Sequence, residues 1–572
     1  MSFFKKVYFI LPKKKKKEIP FLVLLLLIGM IFEMLSLGLL IPALTIILKS
    51  DIVQEYPILT PYLVYLGNPS HKEIIIGGMS LLIVIFLIKT LFLVFLYWFQ
   101  NKFTSTLQVQ LTTRLYAIYL KQDYQFHLKR NSAELIRNTQ TEVILFNRAA
   151  NALILISTEL AIIFAVVFSL TIIEPFGTLI VMIVLSFSVF VFHQASKKKL
   201  VDWAEKRQDL SKGINQFLLE GLGGVKDIKL LGREDYFIYN YNLKNRLWAR
   251  INILQLTLAQ LPRLYLEFLG IFGLVILVIV MVLEGKSIDT LLPTLVMFAA
   301  GAFKMIPGFN RIMGAIQNVK LTVPVVNVLY NEFRLDKITK KKNENEVVLK
   351  SEISVQDVIF KYQNTHRKVL NKINLKIKKG ESVGFIGKSG SGKSTLIDLI
   401  LGLMSVNEGL ILIDGININE ITRGWQNNIG YVPQSIYLTD DTLRKNIALG
   451  ISEDQIDDKA IARAMKQARL NDFIQDLDKG IDTYVGERGV RLSGGQRQRV
   501  GIARAMYHNP SVLVLDEATS ALDTETEKSV MDAVFLLKGE ITIIIIAHRL
   551  STLTGVDRIH HLEKGNLIKA KG

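Results

Sequence analysis

Gly387-Lys388-Ser389-Gly390-Ser391-Gly392-Lys393-Ser394-Thr395 is the stretch on which the reading of this chain turns. The apolar run Val383–Ile386 precedes it and reads as a strand. Leu396–Leu401 follows it and reads as the start of a helix. G-x-x-x-x-G-K-[ST] between strand and helix is a phosphate-binding loop. The glycines let backbone N–H groups turn inward around a polyphosphate, and the following helix adds its positive N-terminal end. Lys393 is expected to reach the β- and γ-phosphates, and Ser394 to hold a Mg²⁺. The bland alternative, a glycine-rich turn with no ligand, leaves the strand–loop–helix setting unexplained.

Outward from this loop the chain has two regimes. Half of its 572 residues are hydrophobic and the mean hydropathy is +0.32. Long apolar runs dominate up to about Gln317; beyond about Asp336 the sequence is that of an ordinary soluble α/β protein. The net charge of +18 would suit nucleic acid, but the basic residues cluster beside apolar runs, which favours a membrane. The sequence has no cysteine, so disulfides and thiolate metal sites are excluded; the redox compartment stays open. The first apolar run, Phe21–Leu48, is too long for the core of a cleavable signal and reads as a spanning helix.

Six spans are expected, at about 20–48, 74–100, 150–173, 176–194, 255–283 and 289–316. Residues 2–11 are short and amphipathic and suit the membrane interface. Lys13–Lys17 reads as a topological anchor or as a solvated tail. The segments between spans two and three, and four and five, are long and basic. They carry Lys102, Arg114, Lys121, Lys129, Arg130 and Arg137, then Lys197–Lys199, Lys206, Arg207, Lys226, Lys229 and Arg233. The turns Ile173–Phe176 and Glu284–Asp289 are short. The basic segments should therefore face the cytoplasm, and the C-terminal domain with them. Two cytoplasmic elbows, short transverse helices or mere loops, are expected near Gln125–Asn131 and Gly232–Phe237. The outer loop Asp51–Glu73 contains Pro57–Leu66, which reads as a helix on the outer surface, meeting a lipid tail or packing as a lid.

Ionisable residues within the spans are the most informative feature of this half. Lys89 lies in span two, Arg263 in span five, and Lys304 and Arg311 in span six, with Glu33, Glu159 and Glu267 also in spans. Charges at this depth cost several kcal/mol unless paired or wet. They read as a wet, cation-lined cavity for phosphate or pyrophosphate. Ion pairing, for example of Glu33 with Lys89 or of Arg263 with Glu267, and snorkelling to an interface, as for Arg311, are the alternatives.

The soluble half continues with Asn331–Asn345 as connector. Val355–Tyr362 reads as an edge strand, with Tyr362 placed to stack on adenine or to pack in the core. Gln434 follows a strand in Gly430–Ser435. Leu492-Ser493-Gly494-Gly495-Gln496 opens a helix bearing Arg497, Arg499 and Arg504. Val512–Glu517 is an apolar strand ending in two carboxylates, and Ile543–His548 is another ending in a histidine.

Taken in this order, these motifs resemble those of an ATP-binding cassette (ABC) exporter of the half-transporter type. Gly387–Thr395 resembles Walker A, Gln434 the Q-loop, Leu492–Gln496 the ABC motif and Asp516–Glu517 the end of Walker B. Ser520–Asp523 resembles the D-loop, His548 the switch histidine, and Thr483–Gly489 the exporter-type stretch that touches the elbows. The resemblance implies a helical transmembrane domain of six spans (1–330), a linker (331–350) and an α/β P-loop NTPase domain (351–572). It implies ATP and Mg²⁺, with the ion held by Ser394, Asp516 and Gln434. Glu517 is then the general base, assisted by His548 and Gln434. Ser493 and its neighbours Gly494, Gly495 and Gln496 would meet the γ-phosphate bound by a second subunit, which implies a homodimer. Leu222–Glu234, Leu261–Glu267, Phe303–Arg311 and the outer helix look like the lipid-linked oligosaccharide flippase branch. That branch implies a polyprenyl-pyrophosphate-linked glycan as cargo, bound by Lys89, Arg263, Lys304 and Arg311, with the Tyr56–Leu66 region at its tail, in a bacterial inner membrane. The competing readings are export of apolar drugs, lipid A-like lipids or peptides, and a non-transporting regulatory ATPase.

Overall fold

Hydrocarbon offers no partner to an open backbone, so an apolar run that enters it must close its own hydrogen bonds as a helix. A helix occupies each of the six predicted spans. They are Lys13–Gly38 continued by Leu40–Leu48, then His71–Leu120, Val143–Ile173, Pro175–Gly223, Glu234–Leu283 and Ile288–Arg334. The structure, a computed structural model, describes residues 2–48, 60–65, 69–283, 285, 288–337, 347–362, 365, 367–486, 489, 492–519, 524–547 and 549–569. Among the described residues, helices over 13–47, 71–120 and 132–172 are each long and apolar enough to cross a membrane. Thr294–Lys320 and Thr322–Arg334 together make a fourth, bent by 45°. Pro324 accounts for that bend, because its ring meets the carbonyl four residues back, at Lys320. Pro42 stands in the same relation to Gly38, where the first span breaks at Leu39.

The basic run Lys13–Lys17 is not a detached tail; it forms the first turns of the first spanning helix. Lys15 is buried there, its ammonium 4.8 Å from the centre of the Phe103 ring. The N-terminal helix Phe3–Ile10 is tied to the last long helix by Lys6 Nζ donating to Asn327 Oδ1 at 2.7 Å and by an edge-on Phe9–Tyr330 pair. Of the outer loop, the helix Thr60–Tyr65 is described, with Val64 and Tyr65 exposed; the rest of Tyr56–Leu66 lies outside the described residues.

The first elbow is the helix Tyr124–Lys129. The second differs from expectation. Its helix is Val225–Leu231, and Gly232–Phe237 holds its end and the start of the next helix. Gly232 has φ +60 and closes the helix in the left-handed conformation, with Arg233 N–H returning to Ile228 O at 3.1 Å.

The chain forms two compact units, 1–120 with 132–337, and 121–131 with 338–572. The first elbow therefore belongs with the C-terminal residues, and the chain passes between the units three times.

In the second unit, β1 (Glu352–Phe360), β2 (Leu370–Lys378), β4 (Glu408–Ile413) and β5 (Ile416–Asn417) form an antiparallel sheet in the order β2-β1-β4-β5. β3 (Ser382–Ile386), β6 (Ile429–Val432), β7 (Val512–Asp516), β8 (Thr542–Ile546), β9 (Arg558–Glu563) and β10 (Asn566–Lys569) form the second, in the order β10-β9-β3-β8-β7-β6. All its neighbours are parallel except the β9–β10 hairpin. Both faces of this sheet are covered, which is why β7 and β8 are unbroken apolar runs. Leu513, Leu515, Ile543 and Ile545 face one core; Val512, Val514, Ile544 and Ile546 face the other with Phe385 and Trp425.

Candidate functional site

Parallel strands in register deliver the loops after their C-terminal ends to one place. Phe385 lies beside Ile546, Leu515 beside Ile545, and Val432 beside Leu515. The phosphate loop, Asp516–Glu517 and Gln434 thereby converge, although they are far apart in sequence. His548 follows β8 by two residues in the chain; it and Ser520–Asp523 lie outside the described residues.

Two glycines of the loop allow no substitute. At Gly387, φ is +153 and a Cβ would stand 2.2 Å from Leu562 O. At Gly392, φ is +106 and a Cβ would stand 2.9 Å from Val369 O. Helix Lys393–Ile400 starts directly after them. Lys393 Nζ is curled into the loop, donating to Gly387 O at 2.8 Å and Lys388 O at 3.3 Å. Burial pushes this ammonium below the ordinary lysine range, while Glu517 and Asp516 act in the opposite direction. Ser394 is exposed at the helix start, and Ser391 Oγ is buried without a partner among the described residues.

Beside this loop, Tyr362 is half-buried, edge-on to Phe360, with its hydroxyl 3.0 Å from Thr395 Oγ1. It lines a pocket with Gly390, Gly392, Arg367, Lys368 and Lys564. Sequence reasoning missed the last three, because isolated basic residues in loops carry no pattern.

Opposite the loop, Tyr431 Oη donates to Asp516 Oδ2 at 3.3 Å, and Gln434 Nε2 donates to Glu517 Oε2 at 2.7 Å. Glu517 sits at φ +50, a conformation that costs a side-chain-bearing residue about 1–2 kcal/mol. Its N–H is held by Ile546 O at 3.1 Å. Burial raises the Asp516 carboxyl, Glu517 raises it further, and Tyr431 and Lys393 counteract. Ser493 caps helix Gly494–Met506 in a capping box, accepting from Gln496 N at 3.2 Å while Gln496 Oε1 accepts from Ser493 N at 2.8 Å. Because that hydroxyl accepts, its proton is left to be donated outward. Arg497, Arg499 and Arg504 are structural, donating to carbonyls including Leu492 O, Arg469 O and Asn446 O.

Asp398, on the helix that begins at Lys393, was not singled out in the sequence. Burial raises its carboxyl to about 6, with Asp516 adding to the effect. Burial likewise raises the Tyr124 hydroxyl of the first elbow, with Asp398 contributing. Between about pH 4 and 6 an unfolded Asp398 has lost its proton while the folded one keeps it. Stability therefore falls over that window and stays lowered above it. Asp398→Asn is predicted to stabilise the chain by about 1–2 kcal/mol at pH 8, after discounting for partial exposure, and by little at pH 4. Denaturant unfolding at the two pH values measures it; an equal gain at both would sink the assignment.

In the first unit the expected free cations are paired. Lys89 Nζ donates to Glu33 Oε2 and to Ser36 Oγ, both at 2.8 Å. Lys304 Nζ is bonded to the same Glu33 oxygen. Glu33, Ser36 and Lys89 are buried, while the Lys304 side chain is 30% exposed. Arg311 grips Glu159 with both Nε (2.5 Å) and Nη2 (3.0 Å). Gly308 permits this: a Cβ there would stand 2.9 Å from Glu159 Oε2. The pairs form because removing a lone charge from water costs far more than sharing a counter-charge on a neighbouring helix. Glu33 thus takes two lysines, as sequence spacing could not show, and the Arg263 side chain lies outside the described ones.

These features define an ATP-hydrolysing engine joined to a helical membrane domain. Residues 19–301 match the ABC transporter transmembrane region and residues 370–520 match the ABC transporter family. The chain belongs to the ABC transporters; it is an integral membrane protein that joins that family's transmembrane region to its ATPase domain. Its relatives include proteins of Staphylococcus aureus strains NCTC 8325 and COL whose names carry the words multidrug export ATP-binding/permease protein. Each is 47% identical over 218 residues, covering 38% of this chain and 37% of the relative's own length. The fold is that of a bacterial Atm1-family ABC exporter solved with ATP bound, at TM-score 0.75 and 23% identity, covering 97% of this chain and 95% of that one.

Proposed function

We propose that two copies of the chain form the working unit and use ATP to flip a polyprenyl-pyrophosphate-linked oligosaccharide across a bacterial inner membrane, with the nucleotide-binding domains in the cytoplasm. One observation carries the cargo assignment: Lys89 and Lys304 share the single carboxylate of Glu33, so among the described residues the cluster keeps one uncompensated positive charge on three spanning helices. An anionic headgroup balances that charge; an apolar drug does not. Sugars and pyrophosphate cannot enter hydrocarbon unaided, whereas the polyprenyl tail need not leave it.

In the ATP site, Lys393 would hold the β- and γ-phosphates. Glu517 would take the proton of the attacking water, with Gln434 and His548 orienting it. The oxygen donors Ser394, Asp516 and Gln434 suit Mg²⁺, which would neutralise phosphate charge. Ser493, Gly494, Gly495 and Gln496 would close on the partner's ATP. ATP binding would draw the nucleotide domains together, and hydrolysis would release them.

The relatives named for multidrug export favour a second reading, in which drugs, lipid A-like lipids or peptides are exported. Reconstituted vesicles separate the two. ATPase stimulation and flipping are measured with a polyprenyl-pyrophosphate-linked glycan and, separately, with an apolar drug. Stimulation by the glycan is the expected result; stimulation by the drug alone replaces the flippase reading with the second one.

A further inference from the structure

Glu527 lies in helix Thr524–Phe535, ten residues beyond Glu517, and is only 7% exposed. A buried carboxylate is retained only when it is well paired, and this one has three partners from two separate segments. Thr519 Oγ1 donates to its Oε1 at 3.0 Å, and Thr552 Oγ1 donates to the same oxygen at 2.6 Å. Arg549 Nη1 meets Oε2 at 3.3 Å. Thr519 is the second residue after Glu517; Arg549 and Thr552 are the first and fourth after His548.

We propose that Glu527 is a positioning residue for ATP hydrolysis, clamping the segment that leaves β7 to the segment that leaves β8.

The geometry makes this more than a packing contact. Glu517 N–H already bonds to Ile546 O, which ties the two strand ends at the site itself. Glu527 supplies the second tie, from Thr519 to Arg549 and Thr552. A residue held at two points along the chain cannot swing its carboxylate as one held at a single point can. That matters at Glu517, because its φ of +50 is a conformation the backbone leaves readily unless its surroundings enforce it. Both Thr519 and Thr552 spend their hydroxyl protons on Oε1, and Arg549 places a positive charge on Oε2, so the acceptor must be an anion with two oxygens. Glutamine in this place keeps one acceptor oxygen and turns an N–H₂ toward one set of donors, which breaks the clamp without creating a cavity.

The experiment compares Glu527→Gln, Glu527→Asp and Thr552→Val in the full-length reconstituted protein, measuring ATP affinity and steady-state turnover separately. Glu527→Gln is expected to lower kcat about tenfold with ATP affinity within about twofold of the parent, because the phosphate loop is untouched. Thr552→Val is expected to lower kcat less, and Glu527→Asp to recover part of the loss. The decisive arm is the double variant with Glu517→Gln. If Glu527 acts through the base, its substitution adds nothing once the base is gone, since residues that act as a unit are not additive. A full additional tenfold loss in that background, or an unchanged kcat in Glu527→Gln alone, overturns the proposal. So does a variant whose ATP affinity falls in step with its turnover, which is the mark of a merely structural role.

Discussion

Glu517→Gln is expected to lower ATP turnover by about 10²–10³-fold while leaving ATP binding intact. Glutamine has the same shape, so the left-handed turn at the end of β7 and the contact with Gln434 survive. What is lost is the ability to accept a proton from water. Lys393, Gly387 and Gly392, which shape the phosphate cradle, lie on a different strand–helix unit and are not disturbed. The variant should therefore hold ATP without consuming it. Phosphate release and retention of labelled ATP on the purified protein measure the two halves of this statement. Turnover within about tenfold of the parent would remove Glu517 from the role of general base.

The second large effect concerns the lysine pair. Removing both Lys89 and Lys304 leaves Glu33 buried without a counter-charge, and breaking a buried ion pair in this way costs about 3–5 kcal/mol. Lys89→Ala with Lys304→Ala is thus predicted to unfold well before the parent. Adding Glu33→Leu removes the stranded charge and should restore most of the lost stability, since replacing a whole buried charge cluster by apolar groups is often neutral or better. The triple variant then isolates the chemistry from the folding. Its basal ATPase is expected to match the parent, because no residue of the nucleotide-binding unit has changed. Its flipping of a pyrophosphate-linked lipid should fall by about 30-fold or more, given the 2–5 kcal/mol typical of a lost buried charge contact. Thermal unfolding and vesicle flipping assays report the two effects. Parental flipping by the triple variant would end the assignment of these lysines to the cargo.

What the sequence made legible follows from the range of the interactions involved. The phosphate loop, the apolar strands β7 and β8 and the spanning helices are local patterns, each stated within about 20 residues, and they appear where their patterns lie. The second elbow was misread because its sign is ambiguous. Gly232 looks like the opening of a turn, yet it closes the helix Val225–Leu231, and that helix follows Gly223-Gly224 with little change in composition. The Glu33–Lys89 pair was an alternative the sequence already offered, but the share of Glu33 taken by Lys304 and the Arg311–Glu159 pair were beyond reach for a different reason. Glu33 and Lys304 are 271 residues apart, and nothing in either segment states which helix will bring a counter-charge. Tyr431 lay inside a stretch already recognised for its glutamine, but its hydrogen bond to Asp516 depends on the pairing of β6 with β7. Glu527 reads as one more acidic residue in the first turn of a helix until the folded chain brings Thr552 and Arg549 to it.

The chain's three passages between its two units have a mechanical corollary. A body hung from a single tether can swivel freely and transmits little torque. Here residues 121–131 are spliced into the second body between two long helices of the first, and 337–338 supplies the third attachment. The polypeptide's own continuity thus fastens the two units at three places along the chain rather than one, so that neither is joined to the other as a simple appendage.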